Sequence, residues 1–168
     1  MISGMFEDLL TANRRYQESF SLNGLAAQAK QGFALVTCMD TRIEPLSILG
    51  LKPGDAKIIR NAGGRITTDV LRSLALATTF LGVTRIAVMQ HTGCALAHRT
   101  DDDIRSGFPP DQQEESRSWN FLAMPDPDAV LLSDVERVRA CPLVPAGTPV
   151  EGWRYSVETG GIAQVVLA

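Results

Sequence analysis

The sequence has few of the residues on which several classes of protein depend. Only three cysteines occur in 168 residues, and an odd count in a chain without an export signal disfavours a disulfide framework and favours metal or catalytic use. Lysine and arginine form no dense run and the formal net charge is -3, so no positive field is available to attract a polyanion. We therefore expect no nucleic-acid partner.

Long apolar runs are also missing from the first twenty residues. Charged side chains separate apolar residues such as Phe6, Leu9 and Tyr16, which excludes the apolar core of a signal peptide and a membrane span. We therefore expect a soluble, cytoplasmic protein with no membrane partner. The apolar spacing predicts an amphipathic helix over residues 5–20, packed either on its own domain or on a partner subunit.

The apolar content that is present suits one globular domain. Hydrophobic side chains make up 45% of the chain and charged side chains 21%, which is typical of a domain of this length. We expect a single domain over residues 1–168, with residues 1–32 as an N-terminal helical arm.

Three short apolar runs each lead into a polar motif. The runs cover residues 33–37, 56–60 and 85–90, and they are followed directly by Cys38, Asn61 and His91. The first run is typical of a buried parallel strand, and the other two are interpreted as the second and third strands. Parallel strands joined by crossovers share one direction, so their carboxyl ends lie at one edge of the sheet, where open α/β sheets bind ligands. The sequence therefore predicts an α/β fold with a Rossmann-like sheet.

The remaining elements follow from helical spacing and turn residues. A helical pattern runs from Thr67 to Leu81 and stops at Gly82. A second helical pattern covers residues 128–140. Near the end of the chain, two apolar stretches flank the sequence Glu158-Thr159-Gly160-Gly161, which predicts a hairpin.

Two thiols and one imidazole form the candidate metal site. Cys38 ends one strand, while His91 and Cys94 lie three positions apart after another. This set suits zinc, and three protein ligands leave a fourth position for water or substrate, as in catalytic zinc sites. A lone buried cysteine is more often a small core residue, but the neighbouring motifs favour the metal triad. Cys141, which is followed by Pro142, is interpreted as a bystander.

Asp40 and Arg42 follow Cys38 at intervals of two residues. In an extended stretch the three side chains share one face. The Asp40 carboxylate could then orient a water on the metal, with Arg42 keeping the carboxylate ionised. Two other interpretations remain open: an ordinary ion pair in a loop, or Asp40 as a fourth zinc ligand that closes the site.

Gly63 and Gly64 are candidate substrate-binding residues. Without a Cβ, they can bring backbone N–H groups close to a small ligand. The alternative is a plain turn between a strand and a helix. His98 could relay protons near the mouth of the site, although a surface or packing role is the simpler interpretation.

Taken together, the motifs resemble a known family. They are Cys38-x-Asp40-x-Arg42, Arg60-Asn61-Ala62-Gly63 and His91-x-x-Cys94. In type, order and approximate spacing they resemble the β-class carbonic anhydrases, and the short chain is most similar to the small bacterial branch. One position departs from the pattern, since the family commonly has glycine where this chain has Ala95, which puts the local backbone geometry in question.

The resemblance implies a fold, an assembly and an activity. The fold is a sheet of about four parallel strands with an added C-terminal strand and helices on both faces, assembled into a homodimer or larger oligomer. Zinc is held by Cys38, His91 and Cys94, and an Asp40–Arg42 dyad switches between binding zinc and orienting its hydroxide. The implied enzyme is a carbonic anhydrase, a lyase that reversibly hydrates CO2 to bicarbonate and a proton.

Two alternative functions remain. Some proteins that resemble this family hydrolyse carbonyl sulfide or carbon disulfide with the same ligands. A non-catalytic zinc module or redox sensor would instead use the cysteines for structure or regulation. Such a module predicts loss of fold, rather than loss of rate, when Asp40 is replaced.

Overall fold

The computed structural model of the protein describes residues 4–168. The first three residues of the predicted arm lie outside this range. The strands are β1 (Phe33–Cys38), β2 (Ala56–Asn61), β3 (Arg85–His91), β4 (Val150–Tyr155) and β5 (Ile162–Val166). The helices are α1 (Glu7–Glu18), α2 (Pro45–Ile48), α3 (Thr68–Phe80), α4 (Asp101–Ser106), α5 (Gln113–Ser116) and α6 (Pro127–Arg139).

The five strands form one sheet in the order β2-β1-β3-β4-β5. The first four strands are parallel, and β5 runs antiparallel to β4. In the register of the sheet, Cys38 lies beside Asn61 and Thr37 lies beside Met89. The predicted Rossmann-like sheet, its C-terminal hairpin and the shared edge of the three motifs are therefore confirmed.

Both faces of the sheet are covered, which explains the nearly uninterrupted apolar strands. Ala34, Val36 and Val88 point to one face and pack with residues of α3 and α6. The alternate residues, such as Leu35 and Met89, point to the other face and pack with loop residues and with the end of α2. β1 is buried at every position. Because both of its faces are buried, its sequence is a continuous run of mostly apolar residues and does not alternate apolar with polar ones.

The crossover helix α3 begins as predicted. Thr67 is its N-cap, and the Thr67 hydroxyl accepts a hydrogen bond from the backbone N–H of Val70 at 3.2 Å. Val70, Leu74 and Ala77 are buried on one side, at the spacing expected for a helix lying on a sheet. This helix carries the chain back from the end of β2 to the start of β3.

Helix α1 makes no comparable contact. It contains no buried residue, and side chains at helical spacing remain exposed, with Phe6 66%, Leu9 62% and Leu10 55% accessible. Among residues 4–168, no helix has the length and apolar character needed to span a membrane. Helix α1 confirms the amphipathic helix predicted from the sequence, and its apolar side is exposed to solvent in the single chain.

Candidate metal centre

Cys38, His91 and Cys94 meet at the carboxyl edge of the sheet. Their possible ligand atoms lie within 4.8 Å of one another, and all three residues are buried. Cys38 is the last residue of β1 and His91 is the last residue of β3. The sequence-based grouping of these side chains is therefore present in the fold.

The donor set fits a metal ion. Among the described residues, the buried Nε2 atom of His91 has no hydrogen-bond partner, and such buried polar atoms are rare in proteins. The Nδ1 atom of the same ring lies 2.8 Å from the carbonyl oxygen of Thr92. This contact assigns the ring proton to Nδ1, which leaves Nε2 as an electron-pair donor beside two sulfurs.

The two thiols share a hydrogen bond that makes them unequal. Hydrogen bonding by the Cys94 thiol lowers the pKa of Cys38 to about 4 despite burial, with help from His91 and from the backbone of Asp40 and Gly63. The same hydrogen bond and burial raise the pKa of Cys94. The pair therefore gives up one proton readily, and a divalent cation bound between the sulfurs would favour loss of the second.

The surroundings of His91 favour positive charge at the imidazole ring. Burial lowers the pKa of His91, but the adjacent Cys38 sulfur and the charge of Asp40 outweigh it and raise the pKa. Two cysteine sulfurs, a carboxylate and an imidazole thus concentrate negative charge and electron pairs in one buried place. A metal cation held by these donors would balance this charge.

Asp40 and Arg42 form a tightly held pair beside the cluster. The backbone N–H and Nε of Arg42 each donate to Asp40 Oδ1 at 2.9 Å, and Arg42 Nη2 donates to Asp40 Oδ2 at 2.8 Å. These hydrogen bonds hold the pKa of Asp40 well below its usual range. Asp40 Oδ2 lies 3.9 Å from His91 Nε2. An ionised, oriented carboxylate therefore faces the candidate metal ligands.

The local backbone differs from the expected extended stretch. A turn closes after Cys38, with the backbone N–H of Ile43 donating to the carbonyl oxygen of Asp40 at 3.1 Å. Arg42 folds back onto Asp40 through this turn. The prediction that Cys38, Asp40 and Arg42 share one extended face is therefore wrong, although the turn still brings Asp40 to the cluster.

Arg60 has a positioning role that sequence reasoning missed. Arg60 Nε donates to the carbonyl oxygen of Cys38 at 3.0 Å, and Arg60 Nη2 donates to the carbonyl oxygen of Asp40 at 2.6 Å. The guanidinium thus holds the backbone on both sides of Met39. Its place at the start of the Arg60-Asn61-Ala62-Gly63 motif was the available signal.

The two glycines pack against the site from within the fold. Gly64 is buried with a φ of 65°, and a Cβ there would lie 3.0 Å from the backbone nitrogen of Cys38. Gly63 has a φ of 74°, and its backbone hydrogen-bonds to the Cys38 sulfur. The structure thus gives both glycines a role in shaping the backbone around Cys38, and their role in substrate binding stays a prediction.

We expect Gly64→Ala to destabilise the protein far more than Gly160→Ala. Both positions have positive φ, which costs an alanine about 1–2 kcal/mol. The added Cβ at Gly64 meets backbone atoms of Thr37, Cys38 and Met89, whereas a Cβ at Gly160 meets nothing within 4 Å. Forcing that backbone apart costs a further ~1–3 kcal/mol. Denaturant unfolding of the metal-free proteins measures the difference, and equal losses would contradict the packing argument.

The other candidates lie outside the cluster. Cys141 is half-buried against the core of the α3 and α6 face, as expected for a bystander. His98 is exposed, with a φ of 57°, and it belongs to no metal-binding group that the described residues form. Ala95, which replaces the usual glycine, does not have positive φ. Alanine therefore fits that position without backbone strain.

Known proteins share the sequence pattern and the fold of this chain. Residues 33–117 match the family model for carbonic anhydrase. β-Carbonic anhydrase 1 of Mycobacterium tuberculosis is 33% identical over 159 residues, which is 95% of this chain and 96% of the relative. Carbon disulfide hydrolase of an Acidianus species is 34% identical over 148 residues, which is 74% of this chain and 72% of the relative.

The fold also matches solved structures. Carbonic anhydrase from Streptococcus mutans superposes with a TM-score of 0.89 at 33% identity, covering 98% of this chain and 99% of that one. The β-carbonic anhydrase TvaCA1 of Trichomonas vaginalis superposes with a TM-score of 0.84 at 28% identity, covering 96% of this chain and 97% of that one. Sequence, fold and site agree, and the chain belongs to the β-carbonic anhydrase family.

Proposed function

We propose that the protein is a zinc-dependent carbonic anhydrase that reversibly hydrates CO2 to bicarbonate and a proton. One observation carries the proposal: the buried Cys38, His91 and Cys94 cluster, with an unpartnered His91 Nε2, lies beside the carboxylate of Asp40. Membership of the family and the 33% identical relatives named as carbonic anhydrases support it.

In this proposal Cys38, His91 and Cys94 hold the zinc ion. Zinc supplies a Lewis acid that lowers the pKa of a bound water from ~15.7 to about 7. Two thiolate ligands donate more charge than imidazoles, so we expect weaker acidification than in an all-histidine site. Three protein ligands leave a position for water or substrate.

In this proposal Asp40 orients a water molecule at the site and does not store a proton. Because Arg42 holds the pKa of Asp40 well below its usual range, the carboxylate stays an acceptor at neutral pH and passes no proton to a water beside it. The backbone N–H, Nε and Nη2 of Arg42 donate hydrogen bonds to Asp40 and fix the orientation of its carboxylate. The proton released by hydration is therefore not held on Asp40.

The surroundings suit a small uncharged substrate. Cys38 and Cys94 belong to a cluster of apolar side chains that includes Ile43 and Met124. Apolar surroundings of this kind cost an uncharged molecule such as CO2 much less than they cost a bicarbonate ion. Product ions would be released toward the exposed side of the site, where Arg42 lies half open to solvent.

The proposed assembly is a cytoplasmic homodimer or larger oligomer, in which residues 1–32 form an arm of the single domain. The exposed apolar side chains of α1 support this part of the proposal. Contiguous apolar surface on a protein commonly marks a contact with another chain. A second copy covering α1 would remove that surface from water.

The double variant Leu9→Asp/Leu10→Asp is expected to shift the oligomer to monomers. Burying two carboxylates in an apolar contact costs several kcal/mol, roughly enough to weaken association by 100-fold or more. Arg15→Glu is the matched control, because it changes the net charge equally on the opposite side of α1. Light scattering after gel filtration measures the mass, and an unchanged oligomer in the double variant would exclude α1 from the contact.

The similarity to carbon disulfide hydrolases suggests a second candidate activity. Carbon disulfide hydrolases of Acidianus and Saccharolobus solfataricus are 34% and 31% identical to this chain over 148 residues each. However, they align with only 74% of the chain, against 95% for the carbonic anhydrase of Mycobacterium tuberculosis. The difference favours CO2 as the substrate.

The two activities are separated by rates on one zinc-loaded preparation. We expect kcat/KM for CO2 hydration to exceed that for sulfide release from carbonyl sulfide or carbon disulfide by about 100-fold or more. Stopped-flow detection of protons and colorimetric detection of sulfide give the two values, with Asp40→Ala as the background. Dominant sulfide release would overturn the assignment of CO2.

A further inference from the structure

The turn that carries His91 and Cys94 is tied to the loop between β4 and β5. Thr92 Oγ1 donates to Glu158 Oε2 at 2.6 Å and accepts from the backbone N–H of Val157 at 3.1 Å. Glu158 Oε2 also accepts a hydrogen bond from Ser156 Oγ at 3.1 Å. One hydroxyl and one carboxylate thus join two segments that are 66 residues apart in sequence.

The tied segment supplies backbone acceptors to two parts of the metal centre. The Thr92 carbonyl oxygen lies 2.8 Å from His91 Nδ1, and the Gly93 carbonyl oxygen accepts from Arg42 Nη2 at 3.0 Å. The first contact sets which nitrogen of His91 faces the sulfurs. The second contact positions the guanidinium of Arg42, which in turn donates a hydrogen bond to Asp40. A shift of residues 92–93 would therefore move a metal ligand and the dyad together.

We propose that Thr92 and Glu158 form a latch that positions His91 and Arg42 for zinc binding. The proposal rests on the proposed zinc function of the site. The side chains of Thr92 and Glu158 hydrogen-bond to each other and to Ser156 and Val157, so they would act on the metal ligands indirectly, as positioning residues. Partners that orient metal ligands in this indirect way commonly change metal affinity by about 10- to 100-fold.

The latch contributes more to geometry than to the stability of the fold. Glu158 is exposed, and a hydrogen bond open to solvent adds little net stability. Thr92 is also held by the sheet itself, because its backbone N–H donates to the carbonyl oxygen of Tyr155 at 2.9 Å and so extends the pairing of β3 with β4 by one hydrogen bond. Removing the hydroxyl should therefore loosen the turn without unfolding the protein.

Side-chain chemistry allows the hydrogen bond and the charge to be separated. Thr92→Val removes the hydroxyl and keeps the shape, while Thr92→Ser keeps the hydroxyl. Glu158→Gln removes the charge and keeps an oxygen that accepts from Thr92, while Glu158→Ala removes both. Thr148→Val is the matched control, because the Thr148 hydroxyl bonds only to the Pro145 carbonyl oxygen in a separate turn.

The test is the rate at which zinc passes from the loaded protein to a chromogenic chelator. Thr92→Val and Glu158→Ala are expected to lose zinc roughly three- to tenfold faster than the parent, at or below the low end of the usual range for such partners. Thr92→Ser, Glu158→Gln and Thr148→Val should stay within about twofold of it. The visible absorption of the cobalt-loaded proteins should change in Thr92→Val and be restored in Thr92→Ser.

Each outcome has a definite meaning. Thr92→Val and Glu158→Ala rates equal to the parent's, or a Thr148→Val rate as fast as theirs, would overturn the latch. If Thr92→Ser loses zinc as fast as Thr92→Val, the hydroxyl is not the cause and the latch is also overturned. A parent protein that binds no zinc, or binds it without hydrating CO2, would instead overturn the proposed function.

Discussion

Asp40→Ala is expected to leave a folded, zinc-loaded protein whose CO2 hydration is slower by about 100-fold, at the upper end of the usual effect of losing a group that orients others at a metal site. The carboxylate lies outside the core, and Cys38, His91 and Cys94 supply three candidate ligands without it, so we expect fold and zinc to be retained. What is lost is the ionised acceptor that Arg42 holds 3.9 Å from His91 Nε2. The measurement is a stopped-flow hydration rate per bound zinc.

Two further variants isolate the role of Asp40. Asp69→Ala removes an exposed carboxylate that pairs with Arg72 on α3, and it should keep the parent rate. Asp40→Asn keeps the shape but not the charge, so it should resemble Asp40→Ala. Unchanged turnover in Asp40→Ala would count against the dyad, and loss of the fold would favour the non-catalytic zinc module.

Cys94→Ser is expected to lose zinc and, as a result, CO2 hydration activity. The cluster has three candidate ligands, so removing one thiolate leaves a site with two. Because outer partners alone are worth about 10- to 100-fold in metal affinity, loss of a ligand itself should exceed that range. Metal analysis after dialysis against a chelator measures the effect.

Cys141→Ser is the matched control for this variant. It makes the same chemical change at a cysteine that packs against the core away from the cluster, so it should retain one zinc per chain and full activity. Full zinc retention in Cys94→Ser would remove Cys94 from the set of ligands. Zinc loss in both variants would point to a general effect of losing a thiol.

The elements that position the ligands could be predicted because local patterns determine them. The runs before Cys38 and His91 are short and mostly apolar, which is typical of strands buried on both faces. Once they are parallel, their ends must lie at one edge. Helix α3 also has a strong signal, since Thr67 caps it and its buried residues recur at helical spacing.

The finer contacts of the site could not be predicted, because they depend on register and side-chain direction. The turn from Asp40 to Ile43 has no glycine or proline to mark it. Arg60 reaches two carbonyl groups of a neighbouring strand end, and Thr92 meets Glu158 across a sequence separation of 66 residues. Such pairs are set by how strands align, which composition and periodicity do not encode.

Helix α1 shows a different limit of local patterns. Its apolar spacing predicted the helix, but the same spacing suits a helix on its own domain and a helix on a partner. The structure leaves its apolar side exposed in one chain. The pattern therefore predicts the helix but not the surface on which it packs, and its contact with a second copy stays a proposal.

The central claim is that zinc held by Cys38, His91 and Cys94 is the source of CO2 hydration. Its most direct test is the hydration rate of one wild-type preparation as isolated, after zinc removal, and after zinc is restored. We predict about one zinc per chain at the Cys38, His91 and Cys94 cluster, a rate that disappears with the metal, and a rate that returns in proportion to the zinc bound. A zinc-free protein that hydrates CO2 as fast as the loaded one, or a loaded protein no faster than Asp40→Ala, would contradict the account.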